Sequence, residues 1–124
     1  MIIIADASPI IALVAIGELE LLRELYDEIV ITPIVRSEIH AKLPDWIKLD
    51  DSYKMSDFNM LSVALDQGEA SAIALTLAYP NAALLIDEKR GRKAASTLDL
   101  VIIGTLGIIL KAKRAGLLLS GKLL

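Results

Sequence analysis

The chain opens on MIIIADASPIIAL, residues 1–13, a stretch that places one carboxylate, Asp6, between two apolar segments. Residues 2–5 are continuously aliphatic, a pattern typical of a strand buried on both faces. Ser8 followed by Pro9 is a good start for a helix, so we predict that Ser8 is the N-cap. A carboxylate at the end of a buried strand costs free energy unless something compensates its charge. The rest of the sequence must therefore supply a partner for Asp6.

Short apolar runs followed by helical periodicity repeat along the chain. Further strands are predicted at residues 28–32, 83–86 and 100–104, with a short one near 46–49. Helices are predicted over residues 8–15, 18–25, 33–41, 68–79, 88–98 and 105–115, and another begins at Ser56. Strands that alternate with helices form a parallel sheet covered on both faces. We therefore predict an α/β fold, a three-layer α/β/α domain with a central parallel sheet of four or five strands, as one domain over residues 1–124.

The composition is apolar, with 55% hydrophobic residues and a mean hydropathy of +0.58. The longest uncharged stretch, residues 70–86, contains Pro80-Asn81, which indicates a turn rather than a membrane span. No basic segment precedes the first apolar run, so the start does not resemble a signal peptide. We expect a soluble cytoplasmic protein. The absence of cysteine excludes disulfides, thiol nucleophiles and sulfur-based zinc sites.

Charge is distributed unevenly. Residues 1–87 carry 14 acidic and 5 basic side chains, whereas residues 88–124 carry 2 acidic and 8 basic ones. The basic residues concentrate in KRGRK, residues 89–93. The terminal stretch LLLSGKLL, residues 117–124, is apolar without clear periodicity, and is either a truncated end or a surface for a partner. The chain thus joins an acidic part to a basic part that is suited to an anionic partner.

Asp87 repeats the situation of Asp6, because it directly follows a predicted aliphatic strand. In open parallel sheets ligands bind beyond the carboxyl ends of the strands, near the point where the strand order reverses. Both aspartates are therefore candidates for a site. An N-cap of the following helix is an equally good interpretation of Asp87, whereas Ser8 already fills that role beside Asp6.

Glu38 and Glu69 are predicted on inward helix faces. A rotation of about 100° per residue places Glu38 in the apolar arc of its helix, although a glutamate at a helix end can also bend back to solvent. The helix at residues 68–79 has no charge besides Glu69, so most of its surface should be buried. The helix dipole alone could also explain an acid in that first turn.

Four carboxylates on four separate elements suggest a metal site. Like charges brought together repel and raise each other's pKa values. A hard divalent cation relieves that repulsion, and oxygen-only ligands suit Mg²⁺ or Mn²⁺. Such a site lends itself to phosphodiester hydrolysis, because metal ions activate water and neutralise charge on the transferring group.

Five motifs in order resemble the PIN domain, most closely a prokaryotic subgroup related to the VapC-type toxins of toxin–antitoxin pairs. They are ADASPIIAL, VRSEI, LDQGEASAIALTLA, LLIDEKRGRKAA and VIIGTLGIILKAKRAG, which together cover nearly the whole chain. In that family a parallel sheet carries three or four acidic residues that bind Mg²⁺ or Mn²⁺ and cleave RNA. The resemblance implies that the catalytic and metal-binding acids are Asp6, Glu38, Glu69 and Asp87. Ser8 and Thr105 match supporting polar positions.

The resemblance implies a metal-dependent endoribonuclease, expected to be a homodimer and the toxin partner of an antitoxin protein. Its RNA backbone would be contacted by the basic run, through Lys89, Arg90, Arg92 and Lys93, although a solvated helix face also explains such a run. Glu69 stands where toxins commonly have Asp, and Ser71 stands where many close relatives have a further acid. A PIN-like domain that has lost catalysis and binds RNA or protein is therefore the alternative hypothesis. A phosphatase that uses a D-x-D motif is the least favoured hypothesis, since position 8 is Ser.

Overall fold

A five-stranded sheet organises the protein, as seen in a computed structural model that describes residues 1–117. Its strands are β1 (Ile2–Ala5), β2 (Glu28–Ile31), β3 (Ile47–Leu49), β4 (Ala82–Leu85) and β5 (Val101–Ile103). They lie in the order β3-β2-β1-β4-β5, and every neighbouring pair is parallel. The predicted parallel α/β fold is confirmed, with the larger of the two predicted strand counts.

Seven helices of the described residues flank the sheet and complete the three-layer α/β/α fold. They are α1 (Ala7–Ala15), α2 (Glu20–Leu25), α3 (Pro33–Ser37), α4 (Met55–Leu61), α5 (Gln67–Ala78), α6 (Lys89–Thr97) and α7 (Thr105–Arg114). No helix within residues 1–117 is long and apolar enough to cross a membrane. The expectation for the terminal stretch concerns residues 118–124, which lie outside the described part of the chain.

The strand order reverses between β1 and β4. From β1 the chain builds outward to β2 and β3, then returns to place β4 on the other side of β1, followed by β5. Asp6 leaves β1 with its backbone N–H bonded to the carbonyl of Leu85, 2.9 Å away at the end of β4. Asp6 therefore lies at the reversal point, where open parallel sheets bind their ligands.

The core explains why the central strands read as continuous apolar runs. Ile3, Ile4, Leu84 and Leu85 have no exposed surface, because helices cover both faces of the sheet. Helix α5 is buried along nine consecutive residues, 68–76, as its lack of charge predicted. Its first turn is therefore fixed by packing, and so are the acids that lie there.

Two predicted helix boundaries are wrong in ways that affect the site. Helix α1 begins at Ala7 with Asp6 in the N-cap position, so Ser8 is an exposed first-turn residue rather than the cap. Helix α3 ends at Ser37, not at residue 41, because a bond from the Ile39 N–H to the Arg36 carbonyl tightens the last turn. Other boundaries differ from prediction by one or two residues, which is usual for helix and strand ends.

Leu84→Ala tests the burial of the central strands. Leu84 is fully buried on β4, so truncation should lower the free energy of unfolding by about 2–5 kcal/mol in urea denaturation. The matched control is Leu106→Ala on α7, where the leucine is 68% exposed and the loss should stay within about 0.5 kcal/mol. Equal losses in the two variants would contradict the placement of β4 in the interior of the sheet.

Candidate functional site

Asp6 is a buried carboxylate, only 4% exposed, at the start of α1. It occupies the N-cap position, yet its side chain makes no capping hydrogen bond further into the helix. Burial, together with the nearby charges of Asp66, Glu38 and Asp87, raises the pKa of Asp6 to about 6. Hydrogen bonding to the Ala7 backbone offsets part of that rise. Asp6 therefore lies among like charges, as the four-carboxylate prediction required.

Glu69 is also buried, 6% exposed in the first turn of α5. Burial raises its pKa to about 7, with a further contribution from the charge of Asp66. Hydrogen bonding with Glu88 acts in the same direction, because a protonated Glu69 can donate to the Glu88 carboxylate. The charge of Asp6 also contributes. The structure thus brings Asp6 and Glu69 into one electrostatic cluster.

Glu38 lies near the other acids, but for a different structural reason from the one predicted. It follows the end of α3 and is exposed, so its placement on a buried helix face was wrong. Its carboxylate instead lies over Gly68, where an added Cβ would be 2.3 Å from the Oε1 atom. Glycine at position 68 makes this close approach possible. Burial of the carboxyl group, followed by the charge of Asp66, raises the pKa of Glu38.

Asp66 is the site residue that the sequence analysis missed. It caps α5 by accepting a hydrogen bond of 2.8 Å from the Glu69 backbone N–H. Its charge also raises the pKa values of Asp6, Glu38 and Glu69. The spacing Asp66-x-x-Glu69 is close to a capping box, a signal that could have identified it.

Asp87 is exposed and is held by Thr105, the first residue of α7. Its Oδ1 accepts the Thr105 backbone N–H at 2.8 Å, and its Oδ2 accepts the Thr105 hydroxyl at 2.5 Å. Asp87 therefore caps α7, while Glu88 caps α6 by accepting the Gly91 N–H at 2.9 Å. The alternative interpretation of Asp87, as the cap of the helix that follows it, is wrong, and Thr105 contacts this acid.

The basic run divides between two surfaces. Arg92 is half-buried and donates to the Ile86 carbonyl at 2.8 Å. An added Cβ on Gly104 would lie 3.0 Å from Nη1 of Arg92 and 3.2 Å from Oδ1 of Asp87, so this guanidinium is near the acids. Lys89 is exposed at the start of α6. Arg90 and Lys93, by contrast, line a separate groove between α4 and α6.

Two serines named in the sequence analysis take different places. Ser8 is exposed in the first turn of α1, two residues beyond Asp6. Ser71 is fully buried, 2.7 Å from the Thr32 hydroxyl, and donates to the Gly68 carbonyl at 2.8 Å. Ser71 therefore packs α5 against the end of β2.

The chemical type of the donor atoms suits a hard divalent cation better than the distances between them do. Carboxylate oxygens are the ligands that Mg²⁺ and Mn²⁺ prefer, and the mutual repulsion of Asp6, Glu38, Asp66 and Glu69 favours a compensating cation. Within residues 1–117, however, no three Asp, Glu or His side chains converge closely enough to hold a metal ion. Binding would require these carboxylates to draw together.

Comparison with known proteins identifies the family. A scan against protein-family models matches residues 2–124 to the family DUF3368, described as a PIN domain. The chain belongs to the PIN-domain family. PIN domains are in general nucleases. No curated protein and no solved structure matches the chain.

Glu69→Gln tests the electrostatic cost of the cluster. Because the pKa of Glu69 is raised from 4.5 to about 7, the folded state holds the proton more tightly than the unfolded chain does. Its contribution to stability is present below about pH 4.5 and is lost as the pH rises to about 7. The variant should therefore lose less free energy of unfolding than the wild type across this pH range, as measured by urea denaturation at several pH values.

Glu24→Gln, on the exposed face of α2, is the matched control for Glu69→Gln and should leave the wild-type pH profile unchanged. A Glu69→Gln profile parallel to that of the wild type would show that Glu69 is not held among like charges.

Proposed function

We propose that this PIN domain is a metal-dependent endoribonuclease that hydrolyses RNA phosphodiester bonds with Mg²⁺ or Mn²⁺. The observation that supports it most strongly is the pair of buried acids, Asp6 and Glu69, whose pKa values are raised to about 6 and about 7 by burial and by surrounding carboxylates. They lie at the carboxyl edge of the sheet, beside the reversal of strand order. Strongly perturbed carboxyl groups at such a place are candidates for catalysis.

Asp6 and Glu69 would be the principal metal ligands, joined by Glu38 and Asp87, with Asp66 adding negative charge beside them. When bound, the metal ion would activate water and neutralise charge on the phosphate. Thr105 would fix the orientation of Asp87, since it engages both carboxylate oxygens. Gly68 would let Glu38 lie close to the start of α5.

Cations near the acids would hold the RNA. An acidic cluster alone repels a phosphate backbone, so the strand needs positive charge close to the site. Arg92 lies near Asp87, and Lys89 is exposed at the start of α6, so these two residues are the better placed part of the basic run. Their role would be to bind and orient the phosphate, and that binding should weaken with added salt.

The finer proposal is a cytoplasmic toxin that forms a homodimer and is silenced by an antitoxin protein. Exposed apolar side chains give limited support, since Met60, Val63 and Leu106 are 56%, 88% and 68% exposed. Exposed apolar patches commonly mark protein contacts. Growth arrest on expression, relieved by Asp6→Asn, would support the toxin assignment.

The second candidate is a PIN domain that binds RNA or protein without cutting. It is favoured by the absence, within residues 1–117, of three acids at ligating distance, and by the use of Ser71 as a core hydrogen-bonding residue. This candidate predicts no rise in melting temperature when Mn²⁺ is added. The proposed nuclease predicts a rise, because a ligand that binds only the folded state stabilises it.

Asp6→Asn tests the nuclease directly. The substitution removes a buried negative charge with little change in shape, so Mn²⁺-dependent cleavage of structured RNA should fall by about 100-fold or more. Cleavage is followed by gel electrophoresis of end-labelled RNA, and the Mn²⁺-induced rise in melting temperature should also disappear. The matched control is Asp99→Asn, an exposed turn residue beyond the other end of α6, which should retain both properties. Undiminished cleavage by Asp6→Asn would overturn the proposal.

Asp66→Asn separates the charge of Asp66 from its capping role. Asparagine caps helices as well as aspartate does, so α5 should keep its start. Loss of the charge should raise stability at neutral pH without metal, because repulsion of Asp6, Glu38 and Glu69 is relieved. It should also weaken Mn²⁺ binding several-fold in isothermal titration calorimetry. Unchanged stability together with unchanged Mn²⁺ affinity would remove Asp66 from the site.

A further inference from the structure

A groove of about 480 Å³ lies between α4 and α6, and its lining within residues 1–117 includes none of the acids of the cluster. One wall is a single stripe of α6, with Arg90, Lys93, Ala94, Thr97 and Leu98 at helical spacings of three and four residues. Helix α6 has nine residues, so this wall is about 13 Å long. The groove thus follows one helix along its length, and is long enough for about two turns of another.

The second wall comes from α4 and the turn after it. It consists of Met60, Leu61, Ala64 and Leu65, all of them apolar. Met60 is 56% exposed, and Val63 in the same turn is 88% exposed, so the apolar surface continues past the edge of the groove. A flexible methionine at such an edge can adapt to an incoming side chain. This apolar wall favours an occupant that inserts aliphatic or aromatic side chains.

The charges of the groove all have one sign. Among residues 1–117, Arg90 and Lys93 are its ionisable lining residues, although the chain as a whole carries a net charge of −3. Arg90 spans the two walls at the end where α6 begins, donating to the Ala64 carbonyl at 2.9 Å. Lys93 lies one turn further along α6 and is exposed. A matching partner therefore combines apolar side chains with carboxylates that reach this end.

We propose that this groove binds an acidic amphipathic helix of another protein. Apolar side chains at positions i, i+3, i+4 and i+7 of that helix would pack between α4 and α6, as helices do in other hydrophobic grooves. Its carboxylates would face Arg90 and Lys93. RNA is the less suitable occupant, because in the described part of the chain no aromatic residue lines the groove to stack on a base. The proposal is independent of nuclease activity, since no residue of the groove belongs to the proposed catalytic set.

The test uses the full chain and a pair of fluorescein-labelled 18-residue peptides of designed sequence. Both carry leucines at i, i+3, i+4 and i+7 on an alanine background, and they differ only in having Glu or Lys at the flanking positions. Fluorescence anisotropy should show at least about ten-fold tighter binding of the Glu peptide, because opposite charges meet at the groove and like charges repel. Lys93→Glu should abolish this preference, because Arg90 and the new glutamate then carry opposite charges in the groove.

Two variants keep the test specific to the groove. Ala94→Trp should weaken Glu-peptide binding about ten-fold by filling the apolar space. Lys93→Glu tests the same groove without disturbing packing, because Lys93 is exposed. Lys113→Glu, at an exposed position on α7, is the matched control and should bind like the wild type. The cleavage activity of Lys93→Glu is measured in parallel. It shows whether the substitution affects peptide binding at the groove alone or RNA cleavage as well.

Three results would overturn the proposal. Equal binding of the two peptides, or unchanged preference in Lys93→Glu, would show that the groove does not select an acidic helix. Displacement of the Glu peptide by single-stranded RNA, with RNA binding itself lost in Lys93→Glu, would assign the groove to RNA. A dimer in sedimentation velocity that dissociates in Ala94→Trp and Lys93→Glu would assign it to a second copy of this chain.

Discussion

Repulsion among carboxylates at one edge of a parallel sheet is the constraint that organises this protein. Asp6 and Glu69 are nearly inaccessible to water, and both carry raised pKa values because burial and neighbouring acids disfavour their ionised forms. An arrangement that costs stability at neutral pH has no structural advantage of its own. This cost is the reason for the proposal that the site binds a cation.

The fold limits this cost through the positions of its helices. Most acids of the cluster lie at helix N-termini: Asp6 at α1, Asp66 and Glu69 at α5, Glu88 at α6, and Asp87 beside α7, whereas Glu38 follows the C-terminal end of α3. Parallel strands followed by helices place those N-termini at the same edge of the sheet, where their partial positive charges favour carboxylates. Capping hydrogen bonds to Asp66, Glu88 and Asp87 serve the same end. The fold that brings the acids together therefore also compensates part of their negative charge.

The basic run shows how one helix can serve two surfaces. Arg92 turns toward Asp87, whereas Arg90 and Lys93 turn toward the groove beside α4. Treating KRGRK as one patch ignores the helical geometry, in which successive side chains point about 100° apart around the helix axis. This separation would let the proposed phosphate attraction at the acidic edge and the proposed partner binding at the groove be altered independently.

The sequence alone determined the parallel α/β architecture, because continuous aliphatic runs such as residues 2–5 mark strands buried on both faces and need no knowledge of their neighbours. It also determined that acids follow β1 and lie near the end of β4, since order along the chain fixes which residue leaves each strand. The place of Asp66 beside Asp6 and Glu38 was decided only by the tertiary structure, because it depends on how α5 docks across the sheet. The same holds for Asp87, whose bond to Thr105 joins residues eighteen positions apart. Periodicity reports which face of an element is buried, whereas the distance between two elements is set by packing, which no local pattern contains.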